Sequence, residues 1–413
     1  MVVKITRILL LIIAIIVASI YLPYFYWMAF DINIRSPFVM YSAVTDDFMF
    51  YRFNKQGTIY VDKQGTEYTR DQFEQLLPLQ NYRQLSSSGK MPDSLRGQEI
   101  DIRDVRTNNF TYRISPDDFD QPQIMLFPLF ESQSGRVRLE MPDEYFRIKD
   151  RMEFINADKN EINEEMSLLF TGTLTARGFI FPAKMIFGNP NPRKAFDEGY
   201  FVVDASNAVF HLKKVKGKPF CVKTSIPTDI NIKSIVTKEF TLREFYGLLF
   251  TETNDVYLIS YDNYQLIKLP IEEYDSETDQ FTLRGNLFFR LISLRSNSYL
   301  KAIVTDRDYK VVNTYSETWK TKYEMTRGIV ASYLFPFTVQ LTADKSKLIN
   351  LYFQFSSFHF IFGNLFFLVL AIVQLRLKKR TISYNLFELG VVLLTGVYGF
   401  IAVNIFEKVG KKI

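Results

Sequence analysis

Any chemistry in this chain has to be built from few reactive residues. The 413 residues include two histidines, His211 and His359, and one cysteine, Cys221. His211 lies in a β-type segment between Phe210 and Leu212. Cys221 follows between Phe220 and Val222, and only the turn Lys216-Gly217-Lys218 separates the two segments. Adjacent strands could bring thiol and imidazole together as nucleophile and base, but such a pair needs a third group to orient the imidazole, and none is visible. Both residues therefore read as structural. The run Asp158-Lys159-Asn160-Glu161-Ile162-Asn163 starts like a calcium loop, yet Ile162, Asn163 and Leu169 stand where an oxygen ligand, the turn glycine and the bidentate glutamate are required. A capped helix start accounts for these acids better. The clusters Asp117-Asp118-Phe119-Asp120 and Asp275-Ser276-Glu277-Thr278-Asp279 read as solvated turns, and a glycosidase-type pair needs acids that meet in space. No P-loop, GxGxxG fingerprint or GxSxG elbow occurs. From these residues no catalytic group, cofactor or metal site is expected.

The remaining chemically suggestive residues lie in apolar runs. Ile8–Phe30 reads ILLLIIAIIVASIYLPYFYWMAF, without a charge. A helix of that length spans roughly 35 Å, sufficient for a hydrocarbon core of about 30 Å. A cleaved signal would have a shorter apolar core and a small-residue cleavage site. Here the run continues into Tyr21, Tyr24, Phe25, Tyr26 and Trp27, an interfacial aromatic belt, so a retained anchor with a tolerated kink at Pro23 is expected. Two further apolar runs, Leu351–Leu375 and Asn385–Phe406, flank Arg376-Leu377-Lys378-Lys379-Arg380 and predict a membrane hairpin. The positive-inside rule puts Arg376, Lys378, Lys379 and Arg380 in the cytoplasm with Lys4 and Arg7. Arg35, Lys345, Lys347, Lys408, Lys411 and Lys412 count against this orientation, although residues attached to a large translocated domain weigh less. An ionisable group inside a span is a functional hypothesis by default. Glu388, about one turn into the third run, can instead reach water or the loop cations, and His359 lies near the outer end of the second, with Asn364 further in. Small and polar residues suited to helix packing include Gly363, Asn364, Gly390, Gly396, Gly399, Ala402 and Asn404. Gly396 and Gly399 are the candidates for docking the hairpin onto another membrane subunit, with packing inside one chain the equal alternative.

Between the apolar ends, the chain alternates in the manner of short strands. Gly57–Val61 reads as a strand, and Thr69-Arg70-Asp71-Gln72 as a capping box whose helix must stop before Pro78. A second helix is expected around Glu161–Leu169. Then follow strands at Tyr200–Asp204, Val209–Val215, Pro219–Thr224, Val256–Ser260, Tyr264–Leu269, Asn286–Ser293, Tyr299–Thr305 and Tyr309–Tyr315. Short strands at this spacing indicate a sandwich, barrel or propeller. A weak likeness between FVVDASNAVFHLKKV and VYLISYDNYQLIKL favours propeller blades, with a sandwich as the alternative. The expected organisation is an N-terminal membrane helix (1–30), an α/β entry segment (31–170), a propeller-like β-meander (171–348), a membrane hairpin (349–406) and a short tail (407–413).

Composition adds bounds. A net charge of +5 without a long basic tract makes nucleic acid a poor partner, and one cysteine excludes an intrachain disulfide framework. The stretches YVDKQGTEYTRDQFEQLLPLQNYRQLSSSGKMPDSLRG, NPRKAFDEGYFVVDA, EFYGLLF and VYLISYDNYQLIKLP resemble an uncharacterised Bacteroidota-type family of membrane-anchored proteins, often encoded beside ABC-transporter components. The resemblance implies a link to transport and carries no catalytic motif. The expected function is a non-enzymatic component of an envelope complex in the bacterial inner membrane. Its large domain would be periplasmic, and its partners the lipid bilayer and other membrane subunits of an ABC-type transporter. A membrane-anchored enzyme acting on an envelope polymer and an extracytoplasmic sensor are the alternatives.

Overall fold

The structure, a computed structural model, describes residues 2–30, 34–342 and 346–407. Lys345, Lys408, Lys411 and Lys412 lie outside the described residues, as does the side chain of Lys4. Two compact units emerge: a helical unit built mainly from 1–36 and 318–413, and a β unit of 37–296 and 300–317 inserted between its halves. The helical unit opens with α1 (Val2–Phe30), whose segment Ile5–Phe30 is long and apolar enough to cross a membrane.

The β unit is a series of antiparallel sheets made of consecutive strands. The first comprises Phe38–Ser42, Asp47–Asn54, Gly57–Asp62 and Glu67–Tyr68, and the second Phe127–Pro128, Glu144–Ile148, Met152–Asn156 and Ile162–Asn163. The third runs Met185–Gly188, Tyr200–Val203, Val209–Val215 and Lys218–Lys223, and the fourth Ile232–Thr237, Phe245–Thr251, Val256–Ser260 and Leu266–Lys268. The fifth joins Gln280–Gly285, Arg290–Arg295, Tyr299–Thr305 and Val311–Thr318, and takes Phe110–Ile114 as an extra strand beside Gln280–Gly285. Their inner faces interlock. Leu129, Phe146, Phe154, Tyr200 and Phe210 form one apolar cluster between the second and third sheets, and Phe201, Val209, Ile235, Leu249 and Ile259 another between the third and fourth. Phe110 meets Phe245 edge-on and Tyr112 meets it tilted, joining fourth to fifth, and Tyr41 meets Phe289 to join fifth to first.

The capping box holds as read: Thr69 caps α2 (Arg70–Leu76), accepting from Gln72 N while the Gln72 side chain turns back to the cap, and Phe73 enters the core of the first sheet. The second helix, α3 (Glu164–Ala176), starts later and runs longer than its pattern indicated. Asn163, not an acid of the preceding loop, is its cap and accepts from Met166 N.

The large mostly-β domain is present, but among the described residues its sheets form neither a closed barrel nor a closed propeller. The two look-alike segments occupy different places: FVVDASNAVFHLKKV is the second and third strands of its sheet, VYLISYDNYQLIKL the third and fourth. Their likeness reports the hairpin alone. Alternation and a left-handed turn residue, Asn207 or Asn263, are local requirements, whereas closure depends on faces far apart in sequence.

The C-terminal part of the helical unit contains α4 (Thr326–Leu334), α5 (Phe360–Leu377), α6 (Leu386–Thr395) and α7 (Val397–Ile405), with a hairpin of Phe337–Gln340 and Tyr352–Phe355 between α4 and α5. Three continuous spans are not found. The run Leu351–Leu375 spends its first residues on the hairpin strand, so the helix begins at Phe360, and Asn385–Phe406 breaks at Gly396. Among the described residues, only α5 of the C-terminal helices is long and apolar enough to span a membrane by itself.

In the β unit, the fully buried Arg290 donates to Glu244 Oε1 at 3.0 Å and makes a second bond to Oε2, and Tyr309 also donates to Glu244. Removing one member of a buried pair strands the other. Glu244→Ala is therefore expected to destabilise the protein by about 3–5 kcal/mol, whereas Glu244→Ala combined with Arg290→Met recovers a large part of the loss. Thermal and urea unfolding of both variants reads this difference.

Candidate functional site

Charge is rare among the apolar helices, so where it gathers is informative. At one end of the helical unit, Arg7 on α1 donates to Glu388 Oε1 on α6 at 2.8 Å and, through Nε, to the Phe406 carbonyl at 2.9 Å. The Glu388 side chain is 6% exposed and that of Arg7 20%, so the carboxylate is buried and its cation partly so. Arg7 Nη2 and Glu388 Oε2 have no hydrogen-bond partner and are buried. Around them lies a small cavity lined by polar side chains from three helices: Gln374 on α5, Glu388 on α6 and Asn404 on α7, with Asn385 just before α6. Gln374 donates to Asn404 Oδ1 at 2.5 Å across its wall. Glu388 thus pairs with the N-terminal helix, not with the loop cations. Of those, Lys378 and Arg380 reach Glu407, Arg380 at 3.0 Å, while Arg376 closes the last turn of α5 and Lys379 is exposed in a left-handed turn. All four cations stand at the same end of the unit as Arg7.

The break at Gly396 has its own construction. Its backbone is left-handed, φ 57, ψ −127, a conformation only glycine adopts without strain. The Asn364 side chain lies against the α-carbon, where a Cβ would collide with its Oδ1, and Asn364 Nδ2 donates to the Leu393 carbonyl at 2.9 Å. Asn364 thereby satisfies a carbonyl freed by the interruption, as a polar side chain inside an apolar helix layer should. Tyr398, just past the break, donates to the Phe337 carbonyl at 2.7 Å and so fixes the hairpin to α7. Gly399 is buried, and a Cβ there would press on Thr395 Oγ1 and the Val391 carbonyl of the same chain. His359 stands just before α5 with Nδ1 2.7 Å from Ser357 Oγ and 3.2 Å from Ser332 Oγ, its ring beside Tyr333.

In the β unit the histidine and cysteine do not meet. Register pairs His211 with Val222 and Leu212 with Cys221, so thiol and imidazole point to opposite faces of the third sheet. Cys221 joins the core toward the second sheet, where burial pushes its thiol up to about 11. His211 stacks on Phe201 with centroids 4.5 Å apart. Its Nε2 faces the Glu198 carbonyl, which can only accept, so Nε2 carries the proton and Nδ1 accepts from Tyr264 Oη at 2.9 Å. Burial, with the Lys213 ammonium adding to it, pushes the imidazole down to about 3. It is a neutral structural group.

Acids gather here, each paired with a lysine, although Asp197 Oδ2 is buried without a hydrogen-bond partner. Lys194 Nζ donates to Asp197 at 2.5 Å, Glu239 at 2.6 Å and the Asn189 carbonyl at 2.7 Å. Burial pushes the Asp197 carboxyl up to about 6 against the pull of Lys194, which it shares with Glu239. Glu198 accepts from Lys213 and, at 2.6 Å, from Tyr261. An open groove of about 470 Å³ lies elsewhere in the unit, lined by Tyr82, Arg83, Gln84, Arg106, Thr111 and Phe240 among others. Guanidinium, amide and aromatic groups there suit the recognition of a polar partner.

Residues 38–305 match the domain of unknown function DUF4857. The chain belongs to the DUF4857 family. The matched segment begins with the first strand of the β unit and ends with the Tyr299–Thr305 strand of its fifth sheet, leaving out α1 and α4 to α7. No curated protein matches the chain.

The residues that sequence reasoning overlooked as a set are Arg7, Glu388, Gln374 and Asn404. The available signal was a lone acid in one apolar run and a lone arginine at the edge of another, the two cheapest partners for each other. Two outcomes test the site. Arg7→Ala or Glu388→Ala alone should destabilise the detergent-solubilised protein by about 3–5 kcal/mol, while the reversed pair Arg7→Glu with Glu388→Arg restores most of it, both read by thermal unfolding. Gly396→Leu should lose about 2 kcal/mol or more from backbone strain in addition to the clash with Asn364. Gly390→Leu, with nothing within 4 Å of its Cβ position, should keep wild-type thermal stability and yield.

Proposed function

We propose that this DUF4857 protein is a non-enzymatic membrane component of an envelope complex and an accessory to an ABC-type transporter. The helical unit sits in the bacterial inner membrane, with Arg7 and the turn of Arg376, Lys378, Lys379 and Arg380 on the cytoplasmic side. The β unit lies in the periplasm and works as an open, propeller-like array of blades that binds a partner or ligand.

The observation that carries this reading is the buried Arg7–Glu388 pair between α1 and α6. A tether needs only α1, which already has the length and apolarity to hold a protein in a bilayer. Joining it to a broken helix through an ion pair whose carboxylate is buried is costly unless the joined helices act as one membrane body. Such a body supports docking on other membrane subunits, and its outer surface is suited to that role. Phe362, Phe366 and Val369 form an exposed apolar stripe on α5 at helical spacing. The five cations at one end favour the cytoplasmic side by the positive-inside rule. In the β unit, the groove with Arg83 and Arg106 supports binding in preference to catalysis, because the acids Asp197, Glu198 and Glu239 are buried and held by lysines.

Affinity purification from native membranes in mild detergent, with mass spectrometry of the eluate, tests the proposal. Stoichiometric recovery of integral membrane subunits together with an ATP-binding-cassette component is expected. Recovery of the chain with lipid alone, under conditions that preserve known membrane complexes, overturns it.

A further inference from the structure

Three arginines of the fifth sheet converge on one face with no acid among them. Arg113 comes from Phe110–Ile114, Arg284 from Gln280–Gly285 and Arg295 from Arg290–Arg295. Register places Thr282 opposite Arg113 on one side and opposite Ser293 on the other, while Gln280 faces Arg295. Side chains alternate along a strand, so Arg113, Gln280, Thr282, Arg284, Ser293 and Arg295 share a face, and together they line a cleft closed by Pro37, Phe38 and Val39 of the first sheet's edge. No carboxylate lines this cleft.

The arrangement is costly as it stands. The three cations repel one another although none is directly opposite another in register, and elsewhere in this unit buried cations are matched by acids, as in Arg290–Glu244 and Lys194–Asp197–Glu239. Here the partners are weak. Arg284 lies over the Phe38 ring, 4.1 Å from its centroid, and reaches the Val39 carbonyl only at 3.4 Å. Arg295 donates to the neutral Gln280 Oε1 at 2.6 Å. Arg113 is exposed. Burial pushes Arg284 down to about 10, with the Arg113 and Arg295 cations adding to it, and Arg295 is lowered by burial and by Arg113. Lys238 is lowered by burial and the same Arg113.

We propose that this face of the fifth sheet is an oxyanion-binding site, in which Arg113, Arg284 and Arg295 take up a phosphate-type group and the hydroxyls of Thr282 and Ser293 donate to its remaining oxygens. The guanidinium fork matches such a group bidentately, which an ammonium does not. A polyvalent anion also offsets the mutual repulsion of the three cations. The same chemistry is offered by free inorganic phosphate and by the phosphate ester of a larger molecule. The site stands independently of the transporter reading, since it needs only the β unit's own residues.

Isothermal titration of the full-length protein in detergent, at constant ionic strength, with inorganic phosphate and separately with glycerol 3-phosphate, tests it. Saturable binding of at least one probe is expected. Inorganic phosphate alone would mark a free-ion site, and glycerol 3-phosphate binding at least tenfold tighter would mark an esterified ligand. Arg113→Gln, at an exposed position, should keep the wild-type melting temperature in the absence of anion and weaken binding tenfold or more, with Arg113→Lys intermediate. Absence of saturable binding of both probes to the wild type overturns the proposal, as does unchanged affinity in a folded Arg113→Gln variant.

Discussion

A carboxylate within an apolar helical layer is tolerated only beside a cation, and in this chain the cation for Glu388 lies 381 residues away, at Arg7. That single demand makes one unit of the two ends of the chain. With α1 meeting α6, the β unit of 37–296 and 300–317 is built between the two ends of the chain, apart from a brief return to the helical unit at 297–299. The other polar features of the helical unit follow the same rule. Gln374 meets Asn404, Asn364 serves the carbonyl freed at Gly396, and Tyr398 takes the Phe337 carbonyl, so that polar groups out of water find partners across helices. Arg7 Nη2, Glu388 Oε2 and Asn364 Oδ1 are buried without a partner, and the first two belong to residues that line a small polar cavity at that end.

The β unit answers the same demand by different means. Two of its interior polar groups are tied by turns that accept backbone strain: Tyr264 and Tyr309 both adopt left-handed φ, 59 and 63, which aromatic residues avoid. Each brings its hydroxyl to a partner from this turn, the buried His211 for Tyr264 and the partly buried Glu244 for Tyr309. The strain is local and the gain is a satisfied interior between sheets, so the two are coupled through the tertiary structure. Against this background of matched charge, the unmatched arginines of the fifth sheet stand apart, and their placement on one face is a consequence of strand pairing alone.

Sequence reading reached those features whose cause is local. The cap at Thr69 was legible because the hydroxyl and amide that satisfy a helix start lie within four residues, and the strands Val209–Val215, Val256–Ser260 and Tyr299–Thr305 because alternation and turn chemistry are written in a short window. Apolarity over many residues likewise marked α1 and α5. The same averaging hid the hairpin strand Tyr352–Phe355 inside an apolar run, since its exposed Phe353 and Phe355 raise hydropathy as helix residues would. It also concealed the break at Gly396, where one left-handed glycine interrupts an otherwise uniform pattern.

What the sequence by itself determined was the segregation of an apolar, helical pair of ends from a polar, strand-forming middle, because hydropathy and periodicity are sums over neighbouring residues. It also determined that few reactive side chains were available. Which side chains meet was decided by tertiary structure alone. The separation of Cys221 from His211 depends on a one-residue register, since each step along a strand reverses the face. The pairing of Arg7 with Glu388, the convergence of Arg113, Arg284 and Arg295, and the open series of sheets are contacts between segments remote in sequence. Their energies depend on distance and burial in space, quantities that no local pattern of residues encodes.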